Sequence, residues 1–250
     1  MNYYIVTGTS SGIGEAIARK LIFDRHSVFC ISRSLNESLV ELASSVRSTL
    51  WYKEFDLAET SLIPGLMDEI FEKIKPEELS SIALINNAAT LDPIGPAGSY
   101  TATDLSRHIL VNLAAPMLLS SEFIRLTEGL NVSKSIVNIG TGAATTPYAG
   151  WGPYCSSKAG LEMFTRTTNL EQQQKQFPVR VLNIAPGVVD TPMQEKLRNV
   201  SLSDFPMKPR FEELYLENQL SRPAEVADKI TNLIFGKIPA ENGIIDLRKL

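Results

Sequence analysis

The sequence predicts an α/β fold of the Rossmann type, a doubly wound parallel sheet of seven strands with helices on both faces. Three observations carry this. Short apolar, β-rich runs alternate with longer segments of helical period, as a parallel sheet with crossover helices requires. A glycine-bearing turn, Thr7-Gly8-Thr9-Ser10-Ser11-Gly12-Ile13-Gly14, joins the first run to the first helical segment. Hydrophobic residues make up 44% of the 250 and charged residues 21%, enough apolar material for one continuous core and no sign of disorder. A single domain spanning 1–250 is expected, since α/β units of this length commonly hold one sheet.

In chain order, strands are expected at 3–7, 27–32, 49–55, 81–85, 135–139, 179–184 and 243–246. Helices are expected between them, at 12–23, 37–47, 60–73, 102–126, 151–174 and 223–235. Two stretches resist this alternation. Residues 91–100 carry Pro93, Gly95, Pro96 and Gly98 and read as a loop. Residues 188–220 mix Met193, Phe205, Met207 and Phe211 with charges and contain Pro192, Pro206 and Pro209. A long insertion of this kind reads as a lid over a binding site.

The formal net charge is −4 and no run of Lys or Arg occurs, so a nucleic-acid partner is not expected. Cys30 and Cys155 are the two cysteines, each inside a segment of regular structure, which suits a reducing, cytoplasmic setting without disulfides. His26 and His108 lack flanking metal-ligand spacing and read as surface or helix histidines; no metal site is expected. The first residues run straight into a strand with no signal-peptide order, and no apolar stretch approaches the length of a membrane span. No membrane partner is expected.

The glycine turn follows a strand and opens a helix, the context of a dinucleotide site. Gly8, Gly12 and Gly14 let backbone approach a pyrophosphate, with Ser10, Ser11 and Ile13 completing the turn, and a helix N-terminus presents N–H donors and a positive dipole end. Its spacing, Gly-x-x-x-Gly-x-Gly, differs from the Gly-x-Gly-x-x-Gly of the best-known dinucleotide motif. The second strand ends Cys30-Ile31-Ser32-Arg33-Ser34, where an acid would hold the ribose 2′-hydroxyl of NADH. Arg33 suits a 2′-phosphate instead, so NADPH/NADP+ is the expected cofactor.

Tyr154-Cys155-Ser156-Ser157-Lys158 lies in a helical segment, which puts Tyr154 and Lys158 on one face a turn apart. A free phenol titrates near pKa ~10, and a neighbouring ammonium favours the phenolate, so the pair reads as a tuned general acid and base. Pro153 and Gly150-Trp151-Gly152 place the tyrosine near the start of a helix that follows a buried strand, where open α/β sheets gather ligands.

These motifs, with Asp56 after the third strand, Asn86-Asn87-Ala88 after the fourth, Asn112, and Pro186-Gly187-x-x-x-Thr191, resemble the short-chain dehydrogenase/reductase family over essentially the whole chain. Within it, Pro147-Tyr148-x-Gly150-Trp151-Gly152-x-Tyr154-Cys155 and the segment Ala185-Pro186-Gly187-Val188-Val189-Asp190-Thr191-x-Met193-Gln194 look like the sepiapterin reductases and most like the bacillus-type benzil reductases. The resemblance implies that Asn87 and Ala88 flank the cofactor ribose, that Asp56 and Leu57 border the adenine, and that Val189 and Thr191, with Pro186 and Gly187, hold the nicotinamide end. It also implies a water relay from Asn112 to Lys158, and a homodimer or homotetramer built through the long helices holding Asn112 and Tyr154. The implied reaction passes hydride to a carbonyl carbon while Tyr154 protonates the oxygen, giving a secondary alcohol.

The sequence departs from the family pattern at three places. Thr141 stands where a serine usually binds the substrate carbonyl; its hydroxyl donates the same bond, with fewer rotamers. Ala89 follows Asn86-Asn87-Ala88 where glycine is usual, and Ser11 replaces a basic residue frequent in NADPH enzymes. Thr141, Tyr148, Trp151, Met193, Phe205 and Met207 form an aromatic and thioether set suited to a flat apolar carbonyl substrate, with Gly187 at its border. Asp246 matches the position at which sepiapterin reductases hold the pterin ring; the alternative is an acid closing the last strand at a subunit contact. The expected activity is reduction of aromatic ketones and α-diketones, with reduction of a pterin side-chain carbonyl, or an idle NADP-binding homologue, as the alternatives.

Overall fold

The computed structural model describes residues 1–236 and 243–250. Seven parallel strands, β1 (Asn2–Thr7), β2 (Ser27–Ser32), β3 (Leu50–Glu54), β4 (Ser81–Asn86), β5 (Ser133–Ile139), β6 (Arg180–Ala185) and β7 (Ile244–Asp246), make one sheet in the order β3-β2-β1-β4-β5-β6-β7. The central strands read as largely apolar runs because both faces are covered, as crossover connections demand, while the edge strand β3 ends on exposed Lys53 and Glu54.

The period of two along each strand sorts the core into two layers. Tyr4, Val6, Val28, Cys30, Ala83 and Ile85 face α1 (Gly12–Phe23), α2 (Glu37–Val46) and α9 (Pro223–Ile234). Their neighbours Tyr3, Ile5, Phe29, Ile31, Ile82 and Leu84 face α3 (Ile63–Phe71) and α5 (Ala115–Thr127). Burial of six such side chains contributes on the order of 10 kcal/mol before chain entropy is charged against it. The helices on both faces follow from this alternation.

Local chemistry sets the boundaries that differ from expectation. α2 stops at Val46 because Arg47 turns left-handed, at φ 56°. The segment at 60–73 divides into a tight turn, Thr60–Leu62, and α3, with Pro64 in the first turn of the helix where its missing N–H costs nothing. α4 (Ala102–Ile109) opens on a Thr101 cap, whose Oγ1 accepts from Asp104 N at 3.1 Å, and runs through a π turn, Leu110–Ala114, into α5. The resulting helix, Ala102–Thr127, is long and apolar enough in one window to cross a membrane, contrary to the expectation that no stretch reaches that length. Its inner side, Ala115, Leu119 and Phe123, is spent on the core.

α6 (Gly152–Gln172) follows β5. The expected lid contains two short helices, α7 (Pro192–Asn199) and α8 (Lys208–Leu216). Its two ends meet at a parallel bridge, where Ser221 N donates to Val188 O and Asp190 N to Ser221 O, each at 3.0 Å. A third apolar cluster, with Leu91, Trp151, Tyr154, Leu197, Phe205 and Phe211, seats it on the body.

The chain lays β1, β2 and β3 outward on one side, then returns to place β4 beside β1. At such a reversal the loops diverge and a crevice opens at the carboxyl ends of the strands.

Candidate active site

The crevice is a cleft of about 740 Å³ that runs from the turn after β1, past the ends of β2 and β3, to the ends of β5 and β6 under α7. At one end lies the glycine turn. Gly8 has φ +72°, and a Cβ there would stand 2.8 Å from the Ala88 Cα; at Gly14 it would stand 2.3 Å from the Gly8 oxygen. At these two positions the turn therefore has no room for a side chain. Thr7 Oγ1 accepts from Asn87 N and Ala88 N at 3.0 and 3.1 Å, and Asn87 Nδ2 donates to Thr7 O and Gly8 O at 2.9 and 3.2 Å. Asn87 thus staples the β1 turn to the end of β4. Ser11, at the N-cap of α1, makes no side-chain cap bond, so the N–H groups of the first turn are left for an anion. A backbone cradle of this form fits a dinucleotide pyrophosphate.

Ser10, Ser11, Gly12 and Ile13 border the same end of the cleft, with Arg33, Asp56 and Leu57 beyond them. Arg33 is exposed and forms no ion pair among the described residues. Asp56 is committed to the protein, its Oδ1 accepting from Ala58 N at 3.0 Å and its Oδ2 from Arg107 at 2.7 Å.

At the other end, Tyr154 and Lys158 stand on successive turns of α6, with the Lys158 Nζ 5.9 Å from the centre of the tyrosine ring. Both are buried, so water stabilises neither ion. Burial pushes the Tyr154 phenol up to about 12, against a hydrogen bond from Thr141 that favours the phenolate. Burial likewise pushes the Lys158 ammonium down to about 8. Its Nζ donates to Ile139 O, at the end of β5, at 2.8 Å. Thr141 begins the next turn, where its Oγ1 accepts from Ala143 N at 3.3 Å, which leaves its one proton to be given to the Tyr154 oxygen or to a substrate oxygen beside it.

Behind the tyrosine lies a closed polar network that sequence reasoning missed. His108 is fully buried, its Nδ1 2.6 Å from Asp92 O. A carbonyl only accepts, so the proton sits on Nδ1 and Nε2 is an acceptor, receiving Asn112 Nδ2 at 3.0 Å and lying 3.1 Å from Ser157 Oγ. Burial holds the imidazole below its usual range, which keeps it in this neutral form. Asn112 completes the network by pairing with Thr90, donating to its O and accepting from its N, each at 2.8 Å. Asn112 lies behind the cleft wall, and its side chain braces the loop after β4. The four-residue step from His108 to Asn112 on one helix face was the available signal.

The lid side is aromatic. Trp151 stacks on Phe205 at 4.7 Å and 15°, meets Tyr154 edge-on at 5.3 Å, and leans on Tyr148 at 5.3 Å. Thr141, Tyr148, Trp151, Met193 and Gly187 face the cleft, as do Ala88, Pro186, Val189 and Thr191. Phe205 and Met207 do not: they lie in the cluster behind, where Phe205 backs Trp151. Asp246 also stands off the cleft, its carboxylate bound to Arg248, and Arg248 is the residue of this pair that faces the opening. A turn that cradles phosphate, joined by one cleft to a buried phenol and ammonium under an aromatic wall, can bind a dinucleotide and exchange a proton with a substrate oxygen beside it.

A family model described as short chain dehydrogenase matches residues 2–201. The chain is 41% identical over 234 residues to a benzil reductase ((S)-benzoin forming) of Bacillus cereus, with 94% of each chain covered. It is 30% identical over 243 residues to the sepiapterin reductase of Rattus norvegicus, with 92% of this chain and 90% of the other covered. Among solved structures, the KRED1-Pglu enzyme superposes with a TM-score of 0.82 at 29% identity, covering 98% of this chain and 100% of that one.

Proposed function

The chain belongs to the short-chain dehydrogenase family, nicotinamide-dependent oxidoreductases that act between carbonyl and alcohol, and from that premise we propose an NADPH-dependent reductase of aromatic ketones and α-diketones. The observation that carries the reading is the placement of Tyr154, Lys158 and Thr141 in the same cleft as the glycine turn.

NADPH, when bound, supplies the hydride. The turn from Gly8 to Gly14 would hold its pyrophosphate, Arg33 its 2′-phosphate, Asp56 and Leu57 would border the adenine, and Pro186, Gly187, Val189 and Thr191 would border the nicotinamide. Thr141 Oγ1 donates to the substrate carbonyl oxygen and orients it toward Tyr154. Tyr154 Oη then gives that oxygen its proton as negative charge develops there. The Lys158 ammonium, a turn away in a dry site, stabilises the phenolate left behind and so lowers the cost of the transfer. Tyr148 and Trp151 offer flat apolar surface to an aromatic substituent and, with Met193, exclude water. The runner-up, a pterin substrate, keeps the same proton path and differs in what holds the ring.

Exposed apolar side chains on α5 and α6, Met117, Leu118, Met163 and Leu170, support a second copy packing on these helices, as a homodimer or homotetramer. Two free cysteines support a reducing, cytoplasmic setting.

The test is NADPH oxidation with benzil, isatin-like diones and sepiapterin, in the wild type and Tyr154→Phe. Turnover on a dicarbonyl, lost by about 10²- to 10⁴-fold in the variant while NADPH fluorescence still reports binding, is the expected result. No turnover on any of these carbonyls refutes the reading, and an undiminished Tyr154→Phe refutes the role of the phenol.

A further inference from the structure

The last residues of the chain bring a second oxygen-binding group to the cleft. β7 pairs with β6 so that Asp246 lies opposite Ala185, beside the Pro186-Gly187 turn. Two residues on, Arg248 folds back onto this carboxylate: its Nε donates to Oδ1 at 2.9 Å, its Nη2 to Oδ2 at 2.6 Å, and its backbone N to Oδ1 at 3.0 Å. A bidentate pair of this kind fixes the plane of the guanidinium. The aliphatic stem crosses Gly187, where a Cβ would stand 3.3 Å from Arg248 Cγ. The head reaches Gly142, where a Cβ would stand 3.6 Å from Nη2. Thus the guanidinium bridges the two turns that flank the chemistry, one residue from Thr141. Its Nη1 has no partner among the described residues, and the side chain is more than half exposed to the cleft mouth.

Resting on the reductase reading, we propose that Arg248, held in place by Asp246, receives the second carbonyl oxygen of a vicinal diketone while Thr141 and Tyr154 receive the reacting one. The chemistry of the pair selects this ligand. Arg248 and Asp246 sum to no net charge, so the site gains less from a free anion than a lone cation would, yet it still offers directed N–H donors to a neutral oxygen. Both Asp246 oxygens already accept from Arg248, so a ring presenting N–H donors, as a pterin does, would have to share or displace the guanidinium. Asp246 is on this account a positioning residue, not a ligand to substrate. The two oxygens of a vicinal diketone sit on adjacent carbons, and the two donors are likewise neighbours, since the Arg248 head reaches Gly142, the residue after Thr141.

The experiment compares benzil with deoxybenzoin, the same skeleton lacking one carbonyl oxygen, in the wild type, Arg248→Met and Asp246→Asn. Expected for Arg248→Met is a fall in kcat/KM of about 10- to 100-fold on benzil, carried mainly by KM, against less than about threefold on deoxybenzoin. Asp246→Asn should shift in the same direction by a smaller factor, because the guanidinium stays but loses its clamp. NADPH affinity, read by fluorescence, should not change in either variant, which also reports that both are folded. Equal losses on the two ketones, or no loss on benzil, overturn the assignment of Arg248 while leaving the reductase reading intact. A wild type that reduces neither ketone, nor any other carbonyl tried, overturns both.

Discussion

Lys158 is folded at a cost that its chemistry requires, and removing it should make the cofactor-free protein more stable where the enzyme is dead. The side chain is 3% exposed and has one acceptor among the described residues, Ile139 O at 2.8 Å. Burial lowers its pKa from 10.5 to about 8, which corresponds to roughly 3 kcal/mol of bias against the charged form. The direction in pH follows from proton counting. Between 8 and 10.5 the unfolded chain keeps the lysine proton and the folded chain does not, so stability rises with pH across that window. Between pH 7 and 10 this rise should be about 2 to 3 kcal/mol. Lys158→Met has no such proton to lose. Urea unfolding of wild type and variant at a series of pH values, each taken as the difference between the two, removes the contributions of Tyr154, Tyr4 and Cys30, whose pKa values are raised and which act oppositely above their unfolded values. The variant should be the more stable at pH 7, with the gap closing toward pH 10. Parallel curves would refute the claim that burial penalises this ammonium.

Three further outcomes are expected. Arg33→Asp should raise the KM for NADPH by roughly 10- to 100-fold and narrow the preference over NADH, as loss of one charge-assisted contact implies; steady-state kinetics with both cofactors checks it. Thr141→Ala should lower kcat by about 10²- to 10³-fold, the effect of removing one donor to a developing oxyanion, and Thr141→Ser should restore most of it. Because the folded pKa of His108 is depressed, its contribution is complete above the unfolded value near 6.5 and is lost as pH falls below it; urea midpoints at pH 7.5 and 5.5 should drop less in His108→Gln than in the wild type.

The central strands were legible because they are buried on both faces, so their apolar runs stand out from the helical segments between them, whereas the edge strand β3 is only half-buried. The glycine turn and the Tyr154–Lys158 pair were legible for a related reason: their spacing is itself the geometry, a turn too crowded for a Cβ at Gly8 and Gly14 and one step of a helix. What escaped depended on which way a side chain faces after distant segments meet. His108 reads as an ordinary helical histidine until the 91–100 loop brings Asp92 O onto its ring. Phe205 and Met207 carry the right chemistry for a pocket but lie a layer behind it, with Trp151 between Phe205 and the opening. Asp246 was read as the group meeting a ligand or a second subunit, and no pattern in the last five residues shows that Arg248 would fold back, occupy that carboxylate and face the cleft instead. The π turn at Leu110–Ala114 is similarly invisible in an unbroken helical pattern.

The central claim is that the Tyr154 phenol hands its proton to a carbonyl oxygen while the carbon beside it takes hydride from bound NADPH. A crystal structure with NADP+ and the alcohol product in the cleft tests it most directly. The account predicts the alcohol oxygen within about 2.6 to 3.2 Å of Tyr154 Oη and its carbon about 3 to 3.5 Å from the reactive carbon of the nicotinamide. An alcohol oxygen held by other groups, with Tyr154 out of hydrogen-bond reach, would contradict it.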